Sequence, residues 1–124
     1  MANTRRLSAY RRGLRAEILA CWWLRLQGYR ILAQRYKTPV GEIDVIARRA
    51  GNVVFVEVKA RYGHADALDA ANVSQTRVVR AAQYALAGMP NLAGLQFRFD
   101  VISVPWYMLP KHHKSAYSAP DAWL

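Results

Sequence analysis

Acids are scarce in this chain, so their grouping carries information. Eight Asp and Glu residues stand against 18 Lys and Arg, yet Glu42, Asp44 and Glu57 fall in two short apolar segments, with Lys59 just beyond Glu57. Side chains alternate faces along a strand. If both segments are strands, Glu42, Asp44 and Ile46 share one face of the first, with Ile43 and Val45 opposite. Val53, Phe55, Glu57 and Lys59 share one face of the second, with Val54, Val56 and Val58 opposite. A hairpin centred between Ala50 and Gly51, with a loop of two residues or four, sets Asp44 across from Glu57 and Glu42 across from Lys59. A slip of one residue would exchange the faces and destroy the patch.

Two facing carboxylates repel, and burial beside valines adds a desolvation cost. The pair persists if a cation neutralises it or if one member is protonated. Hard oxygen donors suit Mg²⁺ or Mn²⁺. Lys59 would then orient a water or stabilise charge on a phosphate oxygen. A plainer arrangement stays open on geometry alone: a Glu42–Lys59 cross-strand ion pair, with Asp44 at a solvated sheet end. The surplus of acid over lysine on this face counts against it.

The elements that must carry these residues can be read along the chain. Leu14, Ile18 and Trp22 recur at helical spacing and Gly28 follows, which predicts a helix over 12–27 with a wide apolar seam that includes Leu19, Trp23 and Leu26. Strands are expected over 29–37, 42–47 and 53–60, with Arg48-Arg49-Ala50-Gly51-Asn52 supplying the turn. A second helix is expected over 73–87, capped by Asn72 or Ser74 and stopped by Gly88 and Pro90. A fourth strand over 97–104 ends at Pro105, and the tail from Trp106 shows no period. The order helix, three strands, helix, strand is that of an α/β fold with a mixed central sheet flanked by helices. The organisation expected is a flexible basic arm over 1–11, one domain over 12–104, and a tail over 105–124 that packs on the domain or trails from it.

Composition sets the class of partner. A chain of 124 residues allows one core, and 53% apolar residues exclude a disordered basic tail. The longest apolar run, Ile18 to Leu24, is far too short for a membrane span, and Arg25 with no cleavage-like site after it argues against a targeting segment. The single cysteine, Cys21, excludes an internal disulfide, reads as buried packing and points to a reducing compartment, the cytoplasm. A net charge of +10 favours a polyanion, nucleic acid first. Arg5, Arg6, Arg11, Arg12 and Arg15 crowd the start of the chain, and with Arg35, Lys37, Arg61 and Arg77 they are candidate phosphate contacts. His112-His113 in the Pro-flanked tail reads as solvent-exposed, and Trp22 and Trp23 as core. Tyr62, Trp106, Tyr107 and Trp123 are free to stack on bases.

Gly41-Glu42-Ile43-Asp44, followed by Glu57-Val58-Lys59, resembles the PD-(D/E)xK signature of restriction-endonuclease-like and Holliday-junction-resolvase-like nucleases. More narrowly, the chain resembles the bacterial YraN family of that superfamily. The resemblance rests on Arg12-Gly13-Leu14-Arg15-Ala16-Glu17, Gly28-Tyr29-Arg30-Ile31-Leu32, Phe55-Val56-Glu57-Val58-Lys59 and Arg98-Phe99-Asp100-Val101-Ile102, and it covers residues 12–104 with an echo at Asp121-Ala122-Trp123. It implies a restriction-endonuclease-like fold in which Asp44, Glu57 and the Val58 carbonyl ligate Mg²⁺ or Mn²⁺. Glu17 would bring a further acid, and Lys59 would position or activate the attacking water. Glu42 would support the ligands. Where the family often has Lys-Gln, this chain has Ser74-Gln75, so Gln75 would correspond and Arg77 would supply the basic group. The function implied is a metal-dependent endonuclease hydrolysing DNA phosphodiester bonds, at branched or damaged DNA, as a homodimer and without a membrane. The alternative is a catalytically silent nucleic-acid-binding or adaptor protein on a nuclease-like fold.

Overall fold

The computed structural model describes residues 2–61, 75–105 and 109–119. Its elements are α1 (Ala2–Leu26), β1 (Arg30–Thr38), β2 (Gly41–Arg49), β3 (Asn52–Arg61), α2 (Gln75–Gly88), a 3₁₀ turn (Pro90–Leu92), β4 (Gln96–Pro105) and β5 (Lys111–Tyr117). The five strands lie side by side in chain order. All neighbours are antiparallel except β3 and β4, which run parallel because α2 lies between them in the chain. The α/β class and mixed sheet expected from the sequence are thus present, with one strand more.

Valines on alternate faces of the central strands make two cores. Val45, Ala47, Val54, Val56, Ile102 and Val104 pack with Ala16, Ala20, Cys21 and Leu24 of α1. Ile43, Ile46, Val53, Phe55 and Phe99 pack with Val78, Val79, Ala81, Ala82 and Ala85 of α2. The sheet is therefore sandwiched between one helix on each face.

The hairpin register is the expected one. Val45 pairs with Val56 and each step outward follows, to Arg49 with Asn52 around the two-residue Ala50-Gly51 turn. Ala50 takes a positive φ of 52°, which matches the twist that tight hairpins require.

Four expectations need correction. The helix begins at Ala2 rather than near residue 12, because Arg, Leu and Ala propagate a helix from its docked half without needing an apolar face of their own. The buried seam of α1 is Ala16, Ala20, Cys21 and Leu24. Ile18 and Trp22 are instead 56% and 58% exposed, with Leu19 and Leu26 beside them; small alanines let the backbone approach the sheet and turn the bulky residues outward. The tail holds a strand, β5, paired antiparallel with β4. His112 in that strand is buried, its side chain only 5% exposed. The α2 caps Asn72 and Ser74, and Tyr62, Trp106, Tyr107 and Trp123, lie outside the described residues. Among the described residues, no helix is long and apolar enough to cross a membrane.

Candidate functional site

β2 and β3 run as a regular ladder only as far as Val45 and Val56. Beyond that point the Val58 N–H donates to Oδ2 of Asp44 at 2.8 Å, so a side chain occupies the place of a ladder carbonyl. Alternation in β2 breaks at the same place, since Ile43 packs on the α2 side together with Ile46, not with Val45 as strict alternation demands. The break opens a small recess lined by Glu42, Ile43, Asp44, Val56, Glu57 and Val78. Asp44 and Glu57 both line this recess and are not ladder partners, since the pairing stops before them.

Lys59 does not face Glu42. Its Nζ lies 2.8 Å from Oε1 of Glu57, two residues back on the same strand, while the exposed Glu42 is paired in register with Lys37 of β1. The cross-strand Glu42–Lys59 pair is excluded by the parting of the strands. Arg77, exposed on α2, carries its stem across Gly41. A Cβ at Gly41 would lie 2.9 Å from Cγ and Cδ of Arg77, and the residue's φ of 151° also favours glycine.

Burial pushes the Asp44 carboxyl up to about 6. The Val58 N–H opposes that shift, Glu17 and Glu57 reinforce it, and Lys59 opposes it. Asp44 is therefore poorly compensated near neutrality.

Glu17 contributes to this field but is bonded elsewhere: the Arg35 Nε donates to its Oε2 at 2.8 Å. Among the described residues, no three His, Cys, Asp or Glu side chains stand close enough to share one ion. The structure thus brings Asp44 and Glu57 together with Lys59, and the part of Val58 on view is its N–H. Arg35 turns inward to Glu17, while Arg11, Arg15 and Lys37 are exposed. Gln75 opens α2, half-buried. Arg12 lies on α1 and Arg61 ends β3; their side chains lie outside the described residues.

Sequence reasoning missed a second cluster. Asp100, fully buried in β4, accepts a two-pronged bond from Arg98 (Nε to Oδ1 and an NH2 nitrogen to Oδ2, each 2.8 Å). It also accepts the Ser115 N–H at 3.0 Å and His112 Nε2 at 2.7 Å. Gln27 Nε2 donates to His112 Nδ1 at 3.3 Å, which leaves the ring proton on Nε2 for Asp100. Arg98 also reaches the Tyr29 hydroxyl at 2.6 Å. The available signal was an acid between Phe99 and Val101 in an otherwise apolar strand core.

The family comparison agrees with the narrower resemblance, to YraN. Residues 16–104 match the model of the uncharacterised protein family UPF0102, the family also called YraN. A UPF0102 protein of Chelativorans sp. (strain BNC1) is 46% identical over 119 residues, 95% of this chain and 96% of the relative. One from Bradyrhizobium sp. (strain ORS 278) is 48% identical over 119 residues, 95% of this chain and 84% of the relative. One from Rhizobium leguminosarum bv. trifolii (strain WSM2304) is 47% identical over 113 residues, 90% and 93% respectively. Matched over residues 16–104 and sharing 46–48% identity with relatives of which it covers 84–96%, this chain belongs to UPF0102.

Proposed function

We propose that the chain is a metal-dependent endonuclease of restriction-endonuclease-like type that hydrolyses DNA phosphodiester bonds, acting at branched or damaged DNA. The observation that carries this reading is the placing of Asp44 and Glu57 at one recess, with the Lys59 ammonium 2.8 Å from Glu57. The donor set fits a hard divalent ion. Two carboxylates offer oxygen at the same opening, and one of them is desolvated enough that its ionised form needs a cation. Asp44, Glu57 and the Val58 carbonyl would hold Mg²⁺ or Mn²⁺, with Glu17 in reserve. Such an ion supplies Lewis-acid polarisation of a phosphoryl oxygen and eases deprotonation of the attacking water.

The protein's own groups do the rest. The Val58 N–H pins Asp44, and Glu57 keeps the Lys59 ammonium at the recess, where it would face a phosphate oxygen and stabilise its growing charge. Exposed Arg11 and Arg15 on α1, Lys37 on β1 and Arg77 on α2 would neutralise backbone phosphates. Two cuts require two sites, so a homodimer is the working assembly, in the cytoplasm.

A second reading, nucleic-acid binding without turnover, is favoured by the two internal ion pairs: Arg35 on Glu17 and Lys59 on Glu57 already satisfy two of the acids. Cleavage of linear, flapped and four-way DNA with Mg²⁺ or Mn²⁺ separates the readings. Wild type cuts, and Asp44→Ala and Lys59→Ala each lose about 10²-fold or more. Tight DNA binding with no cleavage under either metal supports the second reading. Cleavage that survives both substitutions overturns the site.

A further inference from the structure

The β2–β3 hairpin keeps its acids and its arginines at opposite ends. Glu42, Asp44 and Glu57 stand at the recess; from Val45 to Val56 the chain carries no acid, and the turn end holds Arg48 and Arg49. β1 adds a third arginine there. Arg30 is the Cα partner of Arg48, so two like charges face each other across one rung, an arrangement that costs stability when nothing lies between them. The row runs on from Arg48 to Val53 and Phe97, which pack in the core beneath α2. The next row, Arg49, Asn52 and Gln96, holds no acid either.

A bulge makes the two arginines face each other. The register shifts between Ile31 and Ala33, and Leu32 and Ala33, adjacent in sequence, both pack towards α2. Without the extra residue Arg30 would fall opposite Arg49, on the other face of the sheet. Bulges re-aim side chains in this way, above all at edges such as β1. Arg30 and Arg49 are exposed and Arg48 is half-buried. The Arg48 Nε donates to the Ala50 carbonyl at 3.0 Å, and among the described residues neither Arg30 nor Arg48 has an acidic partner. Arg98 differs, because Asp100 occupies it.

We propose that the turn end of the hairpin is a DNA-backbone contact separate from the recess, in which Arg30 and Arg48 together hold phosphate. The inference rests on the nucleic-acid part of the reading above and not on cleavage. An anion seated between the two guanidinium groups removes their mutual repulsion, and arginine binds phosphate oxygens with paired N–H donors. Arg49, in the adjoining row, extends the positive field around the tip. Four strand residues separate Asp44 from Arg48, about 14 Å, or about four base pairs of duplex. A duplex lying at the recess therefore brings its backbone to the tip.

The test is binding of a fluorescent duplex of about 20 base pairs to the full chain in EDTA, between about 50 and 200 mM salt. Arg30→Gln with Arg48→Gln is expected to weaken binding about tenfold and to cut the slope of log affinity on log salt by about one to two. Arg30→Lys with Arg48→Lys keeps the charge and should keep the slope, a second variant that serves if the first folds poorly. Lys111→Gln with Lys114→Gln removes as much charge from β5, at the far edge of the sheet, and should change the slope by less than about one half. Equal losses from the arginine and lysine pairs would reduce the effect to net charge and overturn the proposal. So would an unchanged slope in the Arg30 and Arg48 double variant; either result leaves the recess and its chemistry standing. Phosphatidylglycerol vesicles that bind wild type but not that variant, with DNA binding unaltered, would assign the tip to a membrane surface and overturn it too. Absence of DNA binding by wild type at the lowest salt overturns the nucleic-acid reading, and this inference with it.

Discussion

Asp44 and Asp100 are both desolvated aspartates in neighbouring parts of one sheet, and their surroundings drive them in opposite directions. At Asp100 burial pushes the pKa up, but His112, the Arg98 fork and the Ser115 N–H outweigh it and hold the carboxyl below its ordinary range. Arg98 is in turn raised, first by its bond to Asp100. At Asp44 burial dominates against one backbone donor, and the carboxyl rises to about 6. A saturated buried acid is a structural joint, here tying β4 to β5 and to the end of α1. An under-satisfied one next to a second acid is the kind of place where the binding role proposed above would lie. Desolvation pushes both carboxyls up; the count of donors sets them apart.

The contrast is open to direct attack, most severely at Asp100. Asp100→Ala should cost about 3–5 kcal/mol in urea unfolding, because it strands Arg98 and His112 and unclamps β5. Asp44→Asn should instead stabilise the metal-free protein at pH 7 by about 1–2 kcal/mol, keeping an acceptor for the Val58 N–H while removing an ill-compensated charge. Equal losses at both positions would erase the distinction.

A pH profile tests the same difference with a smaller signal. The folded Asp44 binds its proton more tightly than the unfolded chain does, since its pKa rises from 3.8 to about 6. Its contribution to stability is therefore most favourable below about pH 4, declines as pH rises to about 6 and is flat above. Asp100 has the opposite sign: its contribution is present above 3.8 and is lost as pH falls through its lowered folded value. Subtracting the melting-temperature profile of Asp44→Asn from that of wild type should leave a decline confined to about pH 4–6. A featureless difference would show that Asp44 is not held up.

The smallest effect concerns Tyr117, stacked on Phe99 with ring centroids 5.3 Å apart. Among the described residues its buried hydroxyl has no hydrogen-bond partner, and burial, with Glu57, Asp100 and Asp44 behind it, pushes its pKa up. Tyr117→Phe should be neutral or stabilising by up to about 1 kcal/mol in urea unfolding. A loss of more than that would reveal a bond to the hydroxyl and join β5 to the carboxylate recess.

Local pattern was enough to locate most of the strands. Runs of Val and Ile, the Ala50-Gly51 turn and the stop at Gly88 depend on near neighbours, so the hairpin register was legible in the chain. The strand β5 was not, because Lys111-His112-His113-Lys114 has no apolar alternation of its own and is held through Asp100, distant in sequence. The orientation of α1 was hidden for a related reason: Ala16 and Ala20 win the buried side by allowing close approach, and periodicity weighted by side-chain size pointed to Ile18 and Trp22. The Glu17–Arg35 pair joins α1 to β1, and where β2 parts from β3 the Val58 N–H turns to Asp44; both depend on residues distant in sequence. Spacing could place the acids of this protein on its strands. Which of them are neutralised, which are saturated and which are left with a single donor depends on donors brought from several elements at once, and folding alone assembles those.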